Sequence, residues 1–323
     1  MRKILIIRFS SIGDIVLTTP VIRCVKEQLK AELHYVTKKQ FLPILESNPY
    51  VDKRYAIDKN VSEVSSKLKK ENYDFIIDLH HNLRSAQVKS VLKKPSASFR
   101  KLNIEKWLMV NLKMNKLPDT HIVDRYFETV KSLGVKNDGK GLDYFIPAAD
   151  EILLKTLPAP FRNGYVGFVI GAKFYTKQMT AEKIILILKK ISYPVILLGG
   201  KEDFEKGELI SKAIGGNSFN ACGKYNLNQS ASLVKQAKKI ITHDTGLMHI
   251  ASAFKKDIIS IWGNTIPGFG MFPYLPGQNS KIAEAQNLSC RPCSKLGYAE
   301  CPKGHFKCMN EISEEEIAAF VRG

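Results

Sequence analysis

Apolar positions in the first half of the chain follow two alternating rhythms. Residues 4–7, 33–36, 53–57 and 75–79 are short apolar runs of strand length, while residues 16–29, 61–69 and 124–133 repeat apolar positions at helical spacing. That alternation predicts a parallel sheet covered by helices on both faces. Around Pro147, Pro158 and Pro160 the periodicity lapses, and a second series begins. Residues 165–170, 195–198 and 239–242 then read as strands. Residues 181–190, 204–213 and 228–237 read as helices, with a further helix opening at Gly246. The chain ends in an acidic helix, residues 313–321, with Ser313 as its cap and Glu316 at the capping-box position. The pattern predicts an α/β chain of two doubly wound, Rossmann-like domains, residues 1–155 and 156–312, with residues 313–323 packing back on the first. Ligands are expected at the carboxyl ends of the strands, in a cleft between the domains.

At 323 residues the chain is long enough for two separate cores. The first apolar run is broken at Arg8 and is too short for a signal peptide. No run approaches the ~20 residues that cross a bilayer. A cytoplasmic protein is expected. The formal net charge of +18 calls for anionic partners. Basic residues are densest in residues 84–116, where Arg84, Lys89, Lys93, Lys94, Arg100, Lys101, Lys106, Lys113 and Lys116 face a lone Glu105 and alternate with Trp107, Leu108 and Met109. Such a segment suits an anionic membrane interface; a solvated helix face with core residues behind it fits the same pattern. No nucleic-acid fold or aromatic-basic signature accompanies the charge, so nucleic acid is not an expected partner, and a non-catalytic anion-binding protein is the competing class. The first turn lacks Gly-x-Gly-x-x-Gly, which argues against a nucleotide-sugar dehydrogenase or epimerase.

Three loops carry candidate chemistry. Arg8-Phe9-Ser10-Ser11-Ile12-Gly13-Asp14 joins a strand to a helix. Its glycine and hydroxyls permit close approach of a ligand, and Asp14 is either a capping residue or a carboxylate able to take a proton from a hydroxyl. Gly171-Ala172-Lys173-Phe174-Tyr175-Thr176-Lys177 follows another strand; it lacks the second glycine of a P-loop, but Lys177 could neutralise a diphosphate. Asp244-Thr245-Gly246-Leu247-Met248-His249 opens a helix whose free N–H groups suit a diphosphate, with Thr245 and His249 on one face. An Asp cap with a buried histidine fits the same residues.

These motifs, together with Gly199-Gly200-Lys201-Glu202, resemble glycosyltransferase family nine, the ADP-heptose lipopolysaccharide heptosyltransferases, in order and spacing across nearly the whole chain. The resemblance implies a GT-B fold with an amino-terminal acceptor domain and a carboxy-terminal donor domain facing a central cleft. It implies an inverting, metal-independent transfer of heptose from ADP-heptose to an inner-core acceptor on phosphorylated lipid A, with no cofactor required for catalysis. Asp14 matches the family's general base, facing the anomeric carbon across the cleft, and Lys177 its phosphate-facing lysine. Thr176, Lys177, Glu202, Asp244, Thr245, Gly246 and His249 match the donor site. Ser10, Ser11, Gly13, Arg84, Lys93, Lys94, Arg100 and Lys101 are the expected acceptor residues, and attachment to the inner face of the inner membrane gives the basic segment a role. The chain departs from the family at Gln178, Met179 and Thr180, where a basic residue, tryptophan and proline are usual, and at Ile261-Trp262-Gly263-Asn264-Thr265, where Phe-Gly-Pro-Thr is common. Another nucleotide sugar is the alternative donor.

Cys24 and Cys222 stand alone, whereas Cys290, Cys293, Cys301 and Cys308 fall close together with His305 among them. Four such ligands suit a structural zinc, although the second pair is split by six residues. Disulfides are disfavoured in a cytoplasmic protein. The late cysteines are therefore zinc ligands outside the catalytic machinery or reduced thiols packed in a loop.

Overall fold

The computed structural model describes residues 1–323. The chain divides into two compact units, residues 1–101 with 120–147, and residues 102–119 with 148–323.

In chain order the first part of the molecule runs β1 (Lys3–Ile7), α1 (Ile12–Val16), α2 (Thr19–Leu29), β2 (Glu32–Lys38), β3 (Lys53–Ile57), α3 (Ser62–Lys70), β4 (Phe75–Asp78), α4 (Leu83–Leu92), β5 (Ser96–Ser98), α5 (Asn103–Leu112) and α6 (Ile122–Phe127). All but α5 belong to the first unit. Its five strands lie in the order β3-β2-β1-β4-β5, every pair parallel. Ile4 to Ile7 are fully buried, as expected for a central strand covered on both faces. The helix expected over residues 16–29 begins only at Thr19, after a separate α1 that ends at Val16. Thr18 and Thr19 turn their hydroxyls back onto the carbonyls of Ile15 and Val16, and Pro20 in the first turn of α2 cannot donate to a preceding turn. Residues 128–133 tighten into a 3-10 helix that ends at Gly134 with φ of 77°.

The second unit continues with β6 (Val166–Val169), α7 (Ala181–Leu188), β7 (Val195–Leu198), α8 (Phe204–Ile214), β8 (Ser218–Asn220), α9 (Leu227–Gln236), β9 (Lys239–His243), α10 (Gly246–Ala253), β10 (Asp257–Trp262), β11 (Lys281–Glu284), α11 (Lys307–Asn310) and α12 (Glu314–Arg322). Its six parallel strands are ordered β11-β10-β9-β6-β7-β8.

Two expectations about domain limits are corrected. The division falls at residues 147/148 rather than 155/156, because residues 150–152 are tied to α9: Asp150 accepts from the side chains of Asn226 and Asn228, and the Ile152 N–H donates to Ser232 Oγ. The C-terminal helix belongs to the second unit, not the first. In α12, Ile317, Ala318 and Phe320 share one apolar core with Ile184 and Ile187 of α7, and Glu314 pairs with Lys183.

In both sheets the winding direction reverses beside the first strand, between β1 and β4 in one and between β6 and β9 in the other. The loops leaving the two strands at such a reversal diverge to opposite faces and open a crevice at the carboxyl edge. No helix is long and apolar enough to cross a membrane.

Candidate functional site

In the first unit the reversal is flanked by the loop after β1, which carries Asp14, and the loop after β4, which carries His80. Asp14 lies in the first turn of α1 and is bound on both oxygens. Oδ2 accepts from the Ser11 N–H at 2.9 Å and from Ser11 Oγ at 2.7 Å, and Oδ1 pairs with Arg8 Nη2 at 2.5 Å. Asp14 is thus a capping-box residue and an ion-pair partner at once. Arg8 is buried and also donates to the carbonyls of Ser10 and Leu79 and to Tyr126 Oη. Burial works against its charge, but the neighbouring Asp14 and Tyr126 outweigh it and the guanidinium is held more firmly protonated than usual. His80 packs edge-on against Phe9, and burial together with Arg8 and Lys101 pulls its imidazole down to about 4. Beneath it the fully buried Asp78 accepts from the backbone N–H groups of His80 and His81 and pairs with Lys89, which shapes the second loop.

The structure gathers part of the expected acceptor set and disperses the rest. Ser10, Ser11 and Gly13 surround Asp14, Arg84 lies over the Phe9 ring at 6.0 Å, and Lys101 is close enough to act on His80. The Arg100 carbonyl accepts from Arg125. Lys93 and Lys94 are not part of this group. They follow the C-terminus of α4, and Lys94 bonds Asn72, which precedes β4, so both stand at the amino edge of the sheet. A helix that returns antiparallel to its strand has to end there. The basic segment is also less free than its charge suggests, since Lys89 is tied to Asp78 and Lys113 donates to the carbonyls of Cys290 and Pro292.

In the second unit the reversal is flanked by the loop after β6, residues 170–180, and the loop after β9. Lys177 comes from the first and Asp244 from the second. Lys177 Nζ donates to Asp244 Oδ2 at 2.5 Å, and Thr265 Oγ1, from the loop after β10, donates to the same oxygen at 3.0 Å. Thr245 is the N-terminal residue before α10 and lies 3.4 Å from the Thr242 hydroxyl; Gly246 opens the helix, and His249 is buried on its first turns. The free N–H groups of α10 and the Lys177 ammonium therefore meet at one crevice, an arrangement suited to an anion.

Two expected donor residues are placed differently from one another. Glu202 is exposed in a short turn above Gly200, open to a ligand. Thr176 is 1% exposed, and its hydroxyl is consumed by the backbone of Tyr298, accepting from its N–H at 2.8 Å. Thr176 fastens its loop to that of Tyr298, with its hydroxyl turned to backbone rather than to open space. Asp203, next to Glu202, is buried against Gly171 and Gly199 and accepts from the Gly200 N–H.

Several contributors were not apparent from sequence. Arg8 heads the first candidate loop but carried no role there, and Thr265 sat in a stretch to which none was assigned. Arg291 gave no signal, yet its guanidinium bonds the carbonyls of Trp262, Gly263 and Thr265 and so shapes the turn that presents Thr265 to Asp244.

All six cysteines are free thiols. Cys290, Cys293, Cys301 and Cys308 are close enough to influence one another, and burial reinforced by neighbouring thiols pushes Cys293 up to about 11 and Cys308 up to about 12. Cys290 Sγ lies 3.9 Å from His305 Nε2. Four sulfurs are a donor set suited to zinc or iron, but the thiols are spread more widely than a closed tetrahedral site. The group that does bring three ligand atoms within 4.8 Å is Glu32, His34 and Glu71. There Lys3 and Lys53 already pair with both carboxylates, and the cluster reads as an ion-pair network at the amino edge of the first sheet.

Residues 61–302 match the model of glycosyltransferase family 9 (heptosyltransferase). Lipopolysaccharide heptosyltransferase 1 of Campylobacter coli is 26% identical, with 99% of this chain and 98% of that protein aligned. Lipooligosaccharide heptosyltransferase 2 of Haemophilus ducreyi is also 26% identical, covering 98% of this chain and 97% of that protein. The solved structure of a family 9 glycosyl transferase from Veillonella parvula superposes with a TM-score of 0.77 at 21% identity, covering 99% of this chain and 96% of that one. The E. coli ADP-heptose lps heptosyltransferase II gives 0.74 at 18% identity, covering 99% and 97%. At these identities the structures establish the fold, GT-B with two doubly wound α/β units.

Proposed function

The chain belongs to glycosyltransferase family 9, the heptosyltransferases, and from that membership we propose that it moves heptose from ADP-heptose to a lipopolysaccharide inner-core acceptor, inverting the anomeric centre by direct displacement. The observation that carries this reading is the meeting of Lys177, Asp244 and the α10 N-terminus at the winding reversal of the second unit. In the proposed step an acceptor hydroxyl oxygen bonds the anomeric carbon while the bond from that carbon to the diphosphate oxygen breaks. The bonding pair leaves with ADP, and the hydroxyl proton passes to Asp14. Charge building on the departing diphosphate is met by Lys177 and the N–H groups of α10, so the step needs no metal. Arg8 and Ser11 hold both Asp14 oxygens in place before any acceptor arrives, which fixes the direction of the carboxylate. Glu202 and Thr245 are assigned to the donor, and Ser10, Arg84 and Lys101 to the phosphorylated acceptor.

The same reading assigns the protein to the cytoplasm, at the anionic inner face of the inner membrane. Support comes from α5, none of whose residues is buried and which exposes Ile104 by 74% and Trp107 by 56% within the most basic stretch of the chain. A structural zinc on Cys290, Cys293, Cys301 and Cys308 would have to draw the four thiols closer together; bound there, it would brace the segment that carries Arg291, with no part in the transfer. Metal analysis of protein purified without chelator tests the zinc. The function itself is tested by turnover of ADP-heptose against a panel of truncated lipopolysaccharide acceptors with chelator present: release of ADP with one acceptor supports it, and release only with another nucleotide sugar overturns the donor assignment.

A further inference from the structure

The loop that delivers Lys177 contains one 3-10 turn and is otherwise irregular, so something must hold it in place. Its two ends converge on a single side chain from α8. Lys206 Nζ donates to the Ile170 carbonyl at 3.3 Å where the loop begins and to the Met179 carbonyl at 2.6 Å where it ends, and to Gln178 Oε1 at 3.2 Å between them. Gln178 passes the tie on, since its Nε2 donates to the Ala172 carbonyl. A second fastening comes from β9, where His243 Nε2 accepts from the Met179 N–H at 3.0 Å. His243 is fully buried, and burial together with Lys206 keeps it neutral, the state in which that nitrogen can accept.

We propose that Lys206 is a positioning residue, whose ammonium closes the loop of residues 170–179 and so sets where Lys177 stands against Asp244. Two features favour this over a general packing role. Lys206 has no carboxylate in direct contact and spends its donors on two carbonyls and an amide oxygen of one loop. Asp203, three residues earlier on the same face, wedges against Gly171 and holds Gly200, so the start of α8 grips the loops after both β6 and β7. Burial draws the Lys206 ammonium down to about 8, showing how far it is withdrawn from water to serve these carbonyls.

The inference rests on Lys177 meeting the leaving group, and it is tested by a double-mutant cycle. Lys206→Met is expected to lower kcat with ADP-heptose about 100-fold, the cost of misplacing a catalytic group by roughly an ångström. Placed on Lys177→Ala, the same change is expected to cost less than about threefold, because its effect passes through a lysine already gone. Gln178→Leu, a milder change that does not threaten the fold, is expected to repeat the pattern with a loss of roughly tenfold. Equal losses with and without Lys177 would show a merely structural role and overturn the proposal. Amide hydrogen exchange supplies a readout independent of turnover: faster exchange confined to residues 171–179 in either variant supports the clamp, and unchanged exchange there overturns it. Should the wild-type chain fail to use ADP-heptose, the functional reading falls while the exchange measurement still decides the clamp.

Discussion

Lys177 Nζ bonds Asp244 Oδ2 at 2.5 Å and thereby joins the two loops that flank the winding reversal of the second sheet. The lysine is oriented before any ligand binds, by a carboxylate that Thr265 in turn restrains. Asp244→Asn weakens that hold while leaving a hydrogen-bond acceptor. Steady-state kinetics should show kcat reduced roughly tenfold with a smaller change in donor KM, the pattern of a group that acts in the transition state.

Arg8 reaches four partners with one planar fork. Arg8→Lys preserves the charge beside Asp14 but not the fork, and an ammonium cannot replace it geometrically. Kinetic assay should show kcat lowered about tenfold with the fold intact. Arg8→Met strands Asp14 and two carbonyls, and denaturant titration should register a loss on the order of 3–5 kcal/mol.

Gly171 is required by its neighbour. A Cβ there would overlap Asp203 Oδ2, an oxygen fixed by the Gly200 N–H. Gly171→Ala must push the loop of Lys177 away from α8. Thermal melting and turnover together should show about 1–3 kcal/mol of destabilisation and a kcat loss larger than that stability change explains.

Acid sensitivity should trace to Glu71. Hydrogen bonds from Lys3 and Tyr55, with Lys53 adding to them, pull its carboxyl from 4.5 down to about 2. A folded value below the unfolded one means stability that is fully present above about 4.5 and lost as pH falls toward 2. Melting curves should show Glu71→Gln less stable than wild type at neutral pH, with the difference fading between pH 5 and pH 2. A constant difference across that range would contradict the network.

Membrane attachment should depend on α5 more than on Lys93 and Lys94. Co-sedimentation with vesicles rich in anionic lipid is expected to fall when Ile104 and Trp107 are both changed to Ser. Reversing Lys93 and Lys94, which lie at the amino edge of the sheet, should matter less. Equal binding by the Ile104/Trp107 variant would remove the membrane assignment.

Much of this was legible in the chain because buried parallel strands leave a strong signal. The run of residues 4–7 and the predicted strand over residues 53–57 reappear as β1 and β3 nearly unchanged, and Gly246 opens α10 as the sequence indicates. Short edge elements left less trace: β8 has three residues, and β11 is half exposed. The placement of α12 and of residues 148–152 was hidden because it depends on which core their apolar faces meet, a long-range choice that local pattern does not encode. The loops that carry Asp14, Lys177 and Asp244 were readable from motif and position, each falling between a strand and a helix at the carboxyl edge of its sheet. The bonding of the Thr176 hydroxyl was not, because its partner, the Tyr298 backbone, lies 122 residues away. Lys206 and Arg291 were invisible for the same reason, since each acts on carbonyls that composition cannot reveal.

The most direct test of the account is ADP-heptose turnover by the wild-type chain beside Asp14→Ala and Lys177→Ala, each shown to be folded. The account predicts wild-type transfer to an inner-core acceptor and losses of about 100-fold or more in both variants, the usual cost of removing a general base or a leaving-group charge. Full activity in Asp14→Ala would contradict it.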